Sequence, residues 1–271
     1  MKLWAITLAL LATTTANAAD WSDAFISYSR GSKYHEPANP DDITKDVITV
    51  SYIGGNGLGS NFFAVDMLKS DEKNPANNGT HGAQEVYVVF RNTLSFSKLS
   101  GSEVKFGPVR DVALESGIDF SSKNDAFGGA EYKWMFGPKL EFDVPGYLSL
   151  GLLALKDTGN NSFAGKLVNS PVTWRLSTVW SFDVPLGAPA LFKGWATYTG
   201  TRGKDGFGGD TYPEIWTEMA LMWDLGAVTG AKPKKYYAGL GYQYIRNKFN
   251  NSPDLVGTRV SAPSLRLEAH F

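Results

Sequence analysis

The chain has 271 residues, 26 Lys and Arg against 27 Asp and Glu, a net charge of −1 and no cysteine. A balance this close to neutral argues against nucleic acid as a partner. The missing cysteines exclude a disulfide-stapled scaffold and argue against a zinc site.

Residues 1–18 have the layout of a secretory signal peptide: Lys2 as the positive n-region, Leu3 to Ala12 as the apolar h-region, and Ala16-Asn17-Ala18 as an A-x-A cleavage site. The mature chain is then 19–271, one domain in an exported protein. No later apolar run is long enough for a transmembrane helix.

From Trp21 onward the sequence alternates with period two. Strands are expected over residues 21–30, 46–53 and 59–69. Val86, Val88, Phe90 and Leu94 then oppose Glu85, Arg91 and Thr93, with Tyr87 on the polar parity. Val112, Leu114, Ile118 and Phe120 oppose Asp111, Glu115 and Asp119. Tyr132, Trp134, Phe136, Leu140 and Phe142 oppose Glu131, Lys133, Lys139 and Glu141. A strand over 148–155 follows. In 172–182, Trp174, Leu176, Trp180 and Phe182 oppose Arg175. Residues 191–200 carry Lys193 and Trp195 on one parity. Ile215, Met219, Leu221 and Trp223 oppose Glu214, Trp216, Glu218 and Asp224. Tyr236, Leu240, Tyr242 and Tyr244 oppose Tyr237 and Gln243. In the last segment, Leu265, Leu267, Ala269 and Phe271 oppose Arg266, Glu268 and His270. The sum is about twelve strands, an even number, as single-chain bacterial membrane barrels have.

Strand length separates this pattern from a soluble sandwich. Several runs exceed ten residues, against about 5–6 in soluble proteins and roughly 9–11 for a tilted membrane-spanning strand. Tyr132 and Phe142 bracket their strand. Ten steps at roughly 3.4 Å, tilted by about 40°, separate them vertically by about 26 Å, near the spacing of barrel aromatic girdles. Loops agree. With both termini periplasmic, connections after odd strands (31–45, 70–83, 122–130, 156–170, 201–211 and 248–260) are long and polar. Those after even strands include tight turns at 54–58 and 143–147 and intermediate ones near 101–108, 184–189 and 226–233. The expected fold is an all-β, antiparallel transmembrane β-barrel of about 12 strands.

Catalytic chemistry has little support. His35, His81 and His270 lack metal-ligand spacing. A rim lipid hydrolase would have to use His35, and no nucleophile motif accompanies it. No cofactor is expected, and the chain reads as a non-enzyme. The polar parity supplies the candidate lumen: Glu85, Tyr87, Arg91, Asp111, Glu115, Asp119, Glu131, Lys133, Arg175, Trp195, Trp216, Glu218, Tyr237, Arg266 and Glu268. Two readings stay open. The charges pair across neighbouring strands and rigidify the barrel, or they line a selective pore in which carboxylates bind hydroxyls and Tyr87, Trp195, Trp216 or Tyr237 stack a flat base.

Scattered strings carry a family resemblance. Asn61-Phe62-Phe63-Ala64-Val65-Asp66, Gly82-Ala83-Gln84-Glu85-Val86-Tyr87, Phe106-Gly107-Pro108-Val109-Arg110-Asp111, Gly137-Pro138, Phe142-Asp143-Val144-Pro145-Gly146 and the ending Arg266-Leu267-Glu268-Ala269-His270-Phe271 resemble the Tsx-like nucleoside-specific outer-membrane channels, in their divergent outer-envelope branch. The resemblance implies a monomeric Gram-negative outer-membrane barrel passing nucleosides and deoxynucleosides by facilitated diffusion. It also implies phage or bacteriocin binding at the outer loops. A last strand ending in Phe271 resembles the segment read by the barrel-assembly machinery. The alternatives are a channel for another small polar solute, or a non-conducting receptor or adhesin acting through its outer loops.

Overall fold

The structure, a computed structural model, describes residues 19–77, 79–126, 128–161 and 166–271. The expected signal peptide lies outside the described residues. Strands β1 (Trp21–Tyr34), β2 (Ile43–Asn56), β3 (Gly59–Ser70), β4 (Gln84–Ser95), β5 (Val109–Lys123), β6 (Ala130–Phe142) and β7 (Tyr147–Asn161) follow in a meander. The short β8 (Lys166–Asn169) leads into β9 (Thr173–Pro185), β10 (Pro189–Thr199), β11 (Glu214–Asp224), β12 (Tyr236–Arg246) and β13 (Val260–His270). All pairings are antiparallel. β13 closes the ring on β1, from Phe25↔His270 to Gly31↔Ser264. β8 pairs with the distal end of β7, over Thr158↔Asn169 to Asn161↔Lys166, and the returning chain continues as β9 against Tyr147–Leu155 of β7. The ring itself therefore has twelve strands, as expected.

The local reason is the alternation. On β6, Tyr132, Trp134 and Phe136 are exposed while Lys133 and Met135 between them, and Lys139 beyond them, are buried. The same inversion recurs on β13, with Leu265 and Leu267 exposed and Glu268 buried. A soluble protein hides apolar groups and exposes charges. This ring does the reverse, which is stable where lipid covers the outside. Among the described residues there is no single apolar core. Two small apolar clusters sit on the inward parity: Tyr34, Ile43, Ile245, Val260 and Ala262 with Trp216 against them, and Met135, Leu153 and Leu155.

Several boundaries differ from the sequence expectation. β1 and β2 run further, so the first long connection shrinks to 35–42, and the register shifts between Gly31 and Tyr34. β7 and β8 turn much of the fourth connection into paired strand. The β9–β10 turn is tight, at 186–188. Two connections at the rim carrying the chain termini hold short helices, α1 (Phe96–Ser100) and α2 (Leu225–Thr229). Each has a side-chain N-cap, Ser95 and Asp224, and a left-handed glycine at its end, Gly101 and Gly230. Five residues are too few to show a 3.6 period, so alternation could not reveal them.

Candidate functional site

Every expected lumen residue falls on the parity opposite the exposed apolar band, and strand pairing decides which of them meet. On β4–β6, Arg91 pairs with Asp119 at 2.5 Å, and the Tyr87 hydroxyl donates to the other Asp119 oxygen at 3.0 Å. Lys133 pairs with Glu131 at 2.5 Å and lies 5.8 Å from the centre of the Tyr87 ring. Glu115 pairs with Lys139 at 2.8 Å. Asp111 serves the turn: it accepts from the hydroxyl of Ser95 and, at 2.7 Å, from that of Ser97. These contacts match the rigidifying reading, and the Lys133 ammonium covers a face of Tyr87 that stacking would need.

The other half of the ring is more aromatic. Trp195 and Trp216 lie with ring centres 6.1 Å apart, and Phe249 meets Trp216 edge-on at 6.4 Å. The Gln243 amide donates to Glu218 at 2.6 Å. Arg175 donates through Nε to the Thr199 hydroxyl at 2.9 Å. Glu268 gathers Lys193 at 2.7 Å, Arg266 at 2.8 Å and His270 at 3.3 Å. Lys193 is on β10 and Glu268 on β13, with β11 and β12 between them. That ion pair is therefore a chord across the interior. Tyr237 meets His270 edge-on at 5.1 Å, Phe25 stacks on the same imidazole at 4.9 Å, and Lys193 stands 4.7 Å over the Phe25 ring.

The rim opposite the termini holds what sequence reasoning missed. The carboxylate of Glu36, in the β1–β2 connection, is buried among three ammonium groups: Lys45 at 2.6 Å, Lys123 at 3.1 Å and Lys248 at 3.0 Å. Lys45 also lies 3.9 Å from Glu85, and Lys123 lies 2.6 Å from Asp125. Burial opposes ionisation of Glu36, but the three lysines override it and hold its pKa well below the usual carboxylate range. Burial pushes Lys248 down to about 8, with Glu36 opposing the shift and the other two lysines adding to it. Arg202, from the β10–β11 connection, pairs with Asp157 and reaches Glu131 at 3.5 Å. Its Nε donates to the buried Asn250 side chain at 2.5 Å, and Asn250 in turn donates to the carbonyls of Gly200 and Tyr212.

Backbone strain delivers these groups. Asn247, Phe249 and Asn250 all have φ near 58°, a left-handed conformation that costs a non-glycine residue. The turn places Lys248 on Glu36 and Phe249 on Trp216. Gly257 carries φ +78, and a Cβ there would lie 1.9 Å from the Glu36 carbonyl oxygen, so the two connections touch where only glycine fits. The only available sequence signal was a Glu and a Lys in loops, which reads as solvated surface. His35 has both ring nitrogens engaged, by the Arg259 carbonyl and Asp42, which leaves the hydrolase alternative without the free base it needs.

Packing is uneven along the barrel axis. On the inward parity of β9, Arg175 is 7% exposed toward the far rim, whereas Val179, two inward positions nearer the termini, is 38% exposed. Burial is not confined to the far rim: Asp111, Ser149, Met222 and Glu268, inward residues nearer the termini, are buried as well.

No protein-family model matches the chain, and no curated protein matches its sequence. Solved structures do. An outer-membrane channel from Pseudomonas putida F1 superposes with a TM-score of 0.50 at 9% identity, covering 94% of this chain and 97% of that one. The KdgM porin, solved in complex with disordered oligogalacturonate, gives 0.47 at 12% identity over 91% and 99%. The NanC porin gives 0.46 at 11% over 91% and 98%. The likeness to the Pseudomonas channel establishes a shared outer-membrane barrel fold.

Proposed function

We propose that the mature chain is a monomeric Gram-negative outer-membrane channel for facilitated diffusion of small polar solutes, nucleosides foremost. One observation carries the channel reading: buried charged side chains inside a closed ring whose outer face is an apolar band. Nucleoside selectivity rests on the resemblance of the sequence to the Tsx-like channels. The Trp195–Trp216 pair supports it, because it offers aromatic surface beside the Glu218–Gln243 hydrogen bond at 2.6 Å. Delivery by the assembly machinery through the strand ending at Phe271, and phage or bacteriocin binding at the far-rim connections, belong to the same proposal.

A second reading is a non-conducting outer-membrane receptor. The filled far rim favours it, with apolar Tyr34, Ile43, Ile245 and Val260 packed inside the ring. Liposome swelling separates the two. A channel raises nucleoside permeability above that of sugars of equal size. Equal rates would remove nucleoside selectivity and leave a general channel, and no swelling for any solute would leave the receptor.

A further inference from the structure

The three-lysine cluster at the far rim has an occupant from its own chain. Glu36 offers one oxygen to Lys45 and Lys123 and the other to Lys248, all within 3.1 Å. The lysines come from distant parts of the fold: β2, the end of β5 and the strained turn after β12. Such convergence of buried ammonium groups is costly unless a carboxylate completes it. Charge accounting is tight. Three ammonium groups face Glu36, Glu85 and Asp125. Withdraw Glu36 and one positive charge is left over, buried at the mouth of the barrel.

Glu36 can be withdrawn without unpicking the ring. It lies between the end of β1 at Tyr34 and the start of β2 at Ile43. Its connection is held by the Ala38 amide on the Val256 carbonyl at 2.9 Å, the Asn39 amide side chain on the Lys73 carbonyl at 2.8 Å, the His35 ring on the Arg259 carbonyl at 2.8 Å, and the Lys248 and Lys73 ammonium groups on the His35 and Asp42 carbonyls at 2.9 and 3.0 Å. All of these partners are in connections and none is in a ring strand. Lys33, near the end of β1, and Ala38 lie either side of it with φ of 68° and 66°, a left-handed conformation that costs a non-glycine residue.

We infer that Lys45, Lys123 and Lys248 form a carboxylate-binding seat at the mouth, that Glu36 is its tethered occupant, and that the carboxylate of an incoming solute takes Glu36's place. The seat matches a compact mono-anion with two oxygens on one carbon, because that is the group it already holds. Its use as an entry site rests on the channel reading; the binding itself does not.

Acetate is the probe. Glu36→Ala vacates the seat. In detergent, calorimetry should show this variant binding acetate at least ten-fold more tightly than wild type, and acetate should raise its unfolding midpoint. Adding Lys248→Met to Glu36→Ala should abolish both effects. Equal acetate affinity in wild type and Glu36→Ala, or binding that persists without Lys248, overturns the seat. Should Glu36→Ala fail to fold, Glu36→Gln keeps the side-chain volume. Labelling of Lys248 by an amine reagent should then rise several-fold over wild type and fall again in acetate, and unchanged labelling overturns the seat. Acetate binding needs no conduction. Its failure therefore leaves the channel reading standing, and a protein that binds acetate but never conducts fails that reading alone.

Discussion

Glu268→Ala should destabilise the barrel by about 2–3 kcal/mol, about half to two thirds of the usual cost of breaking a buried pair. The Glu268 side chain is 1% exposed and holds Lys193 at 2.7 Å and Arg266 at 2.8 Å. At 2.7 Å and an effective dielectric near 20, one such pair carries roughly 6 kcal/mol of Coulomb attraction. Desolvation offsets most of that, so the intact cluster contributes little net stability. Deletion is another matter, because it strands two cations. Stranding a buried charge costs about 3–5 kcal/mol. Lys193 and Arg266 keep 19% and 23% side-chain exposure, and water in the interior screens them, which sets the lower figure. Glu268→Gln keeps the shape and loses the charge, so it should fall between wild type and Glu268→Ala. Urea unfolding in lipid vesicles, read by tryptophan fluorescence, measures all three. A loss below about 1 kcal/mol for Glu268→Ala would refute the reasoning, because the chord would then be a loose, solvated ion pair of the surface kind.

Two adjacent leucines on β7 should respond in opposite ways. Leu153 is buried against Met135 and Leu155 inside the ring, so Leu153→Ala should cost about 2–4 kcal/mol in the same assay. Leu152 faces outward, so Leu152→Ala should cost under about 1 kcal/mol and Leu152→Arg about 2–4; equal costs for the two Ala variants would contradict the assigned faces. Lys248 supplies a pH signature. Its pKa of about 8 lies below the ordinary 10.5, so the unfolded chain binds the extra proton between those values. Stability of wild type relative to Lys248→Met should therefore rise from pH 8 to 10.5 and stay constant below pH 7. Glu36, Lys45, Lys123 and Glu85 face this group, and a difference that is flat across the range would mean Lys248 titrates normally.

The alternation makes the ring legible in the sequence, because facing is a local property with period two. Trp134 and Lys133 declare opposite faces whatever lies across from them. The site was less legible for a geometrical reason. Which inward groups meet depends on closure and tilt, and neither Lys193–Glu268 nor Arg202–Asp157 is near in sequence. Glu36 was invisible for a different reason. A lone carboxylate in a polar connection carries no period, and its burial follows from three lysines that other segments deliver. The apolar inward residues Ile43, Met135 and Ile245 break the simple rule that one parity is polar, and they mark where the interior is packed shut.

The seam between β1 and β13 has a consequence for how the protein comes into being. Its pairs, Phe25↔His270 through Gly31↔Ser264, and the Phe271 amide on the Ala24 carbonyl at 2.9 Å, join the first and last strands of the ring. Closing a loop of that length costs roughly 5 kcal/mol of chain entropy before any contact at the seam repays it. Until the last strand arrives, β1 and whichever strand was made last are open edges, the kind of surface that recruits stray strands. Without β13 the ring would have eleven strands and two such open borders, on β1 and β12.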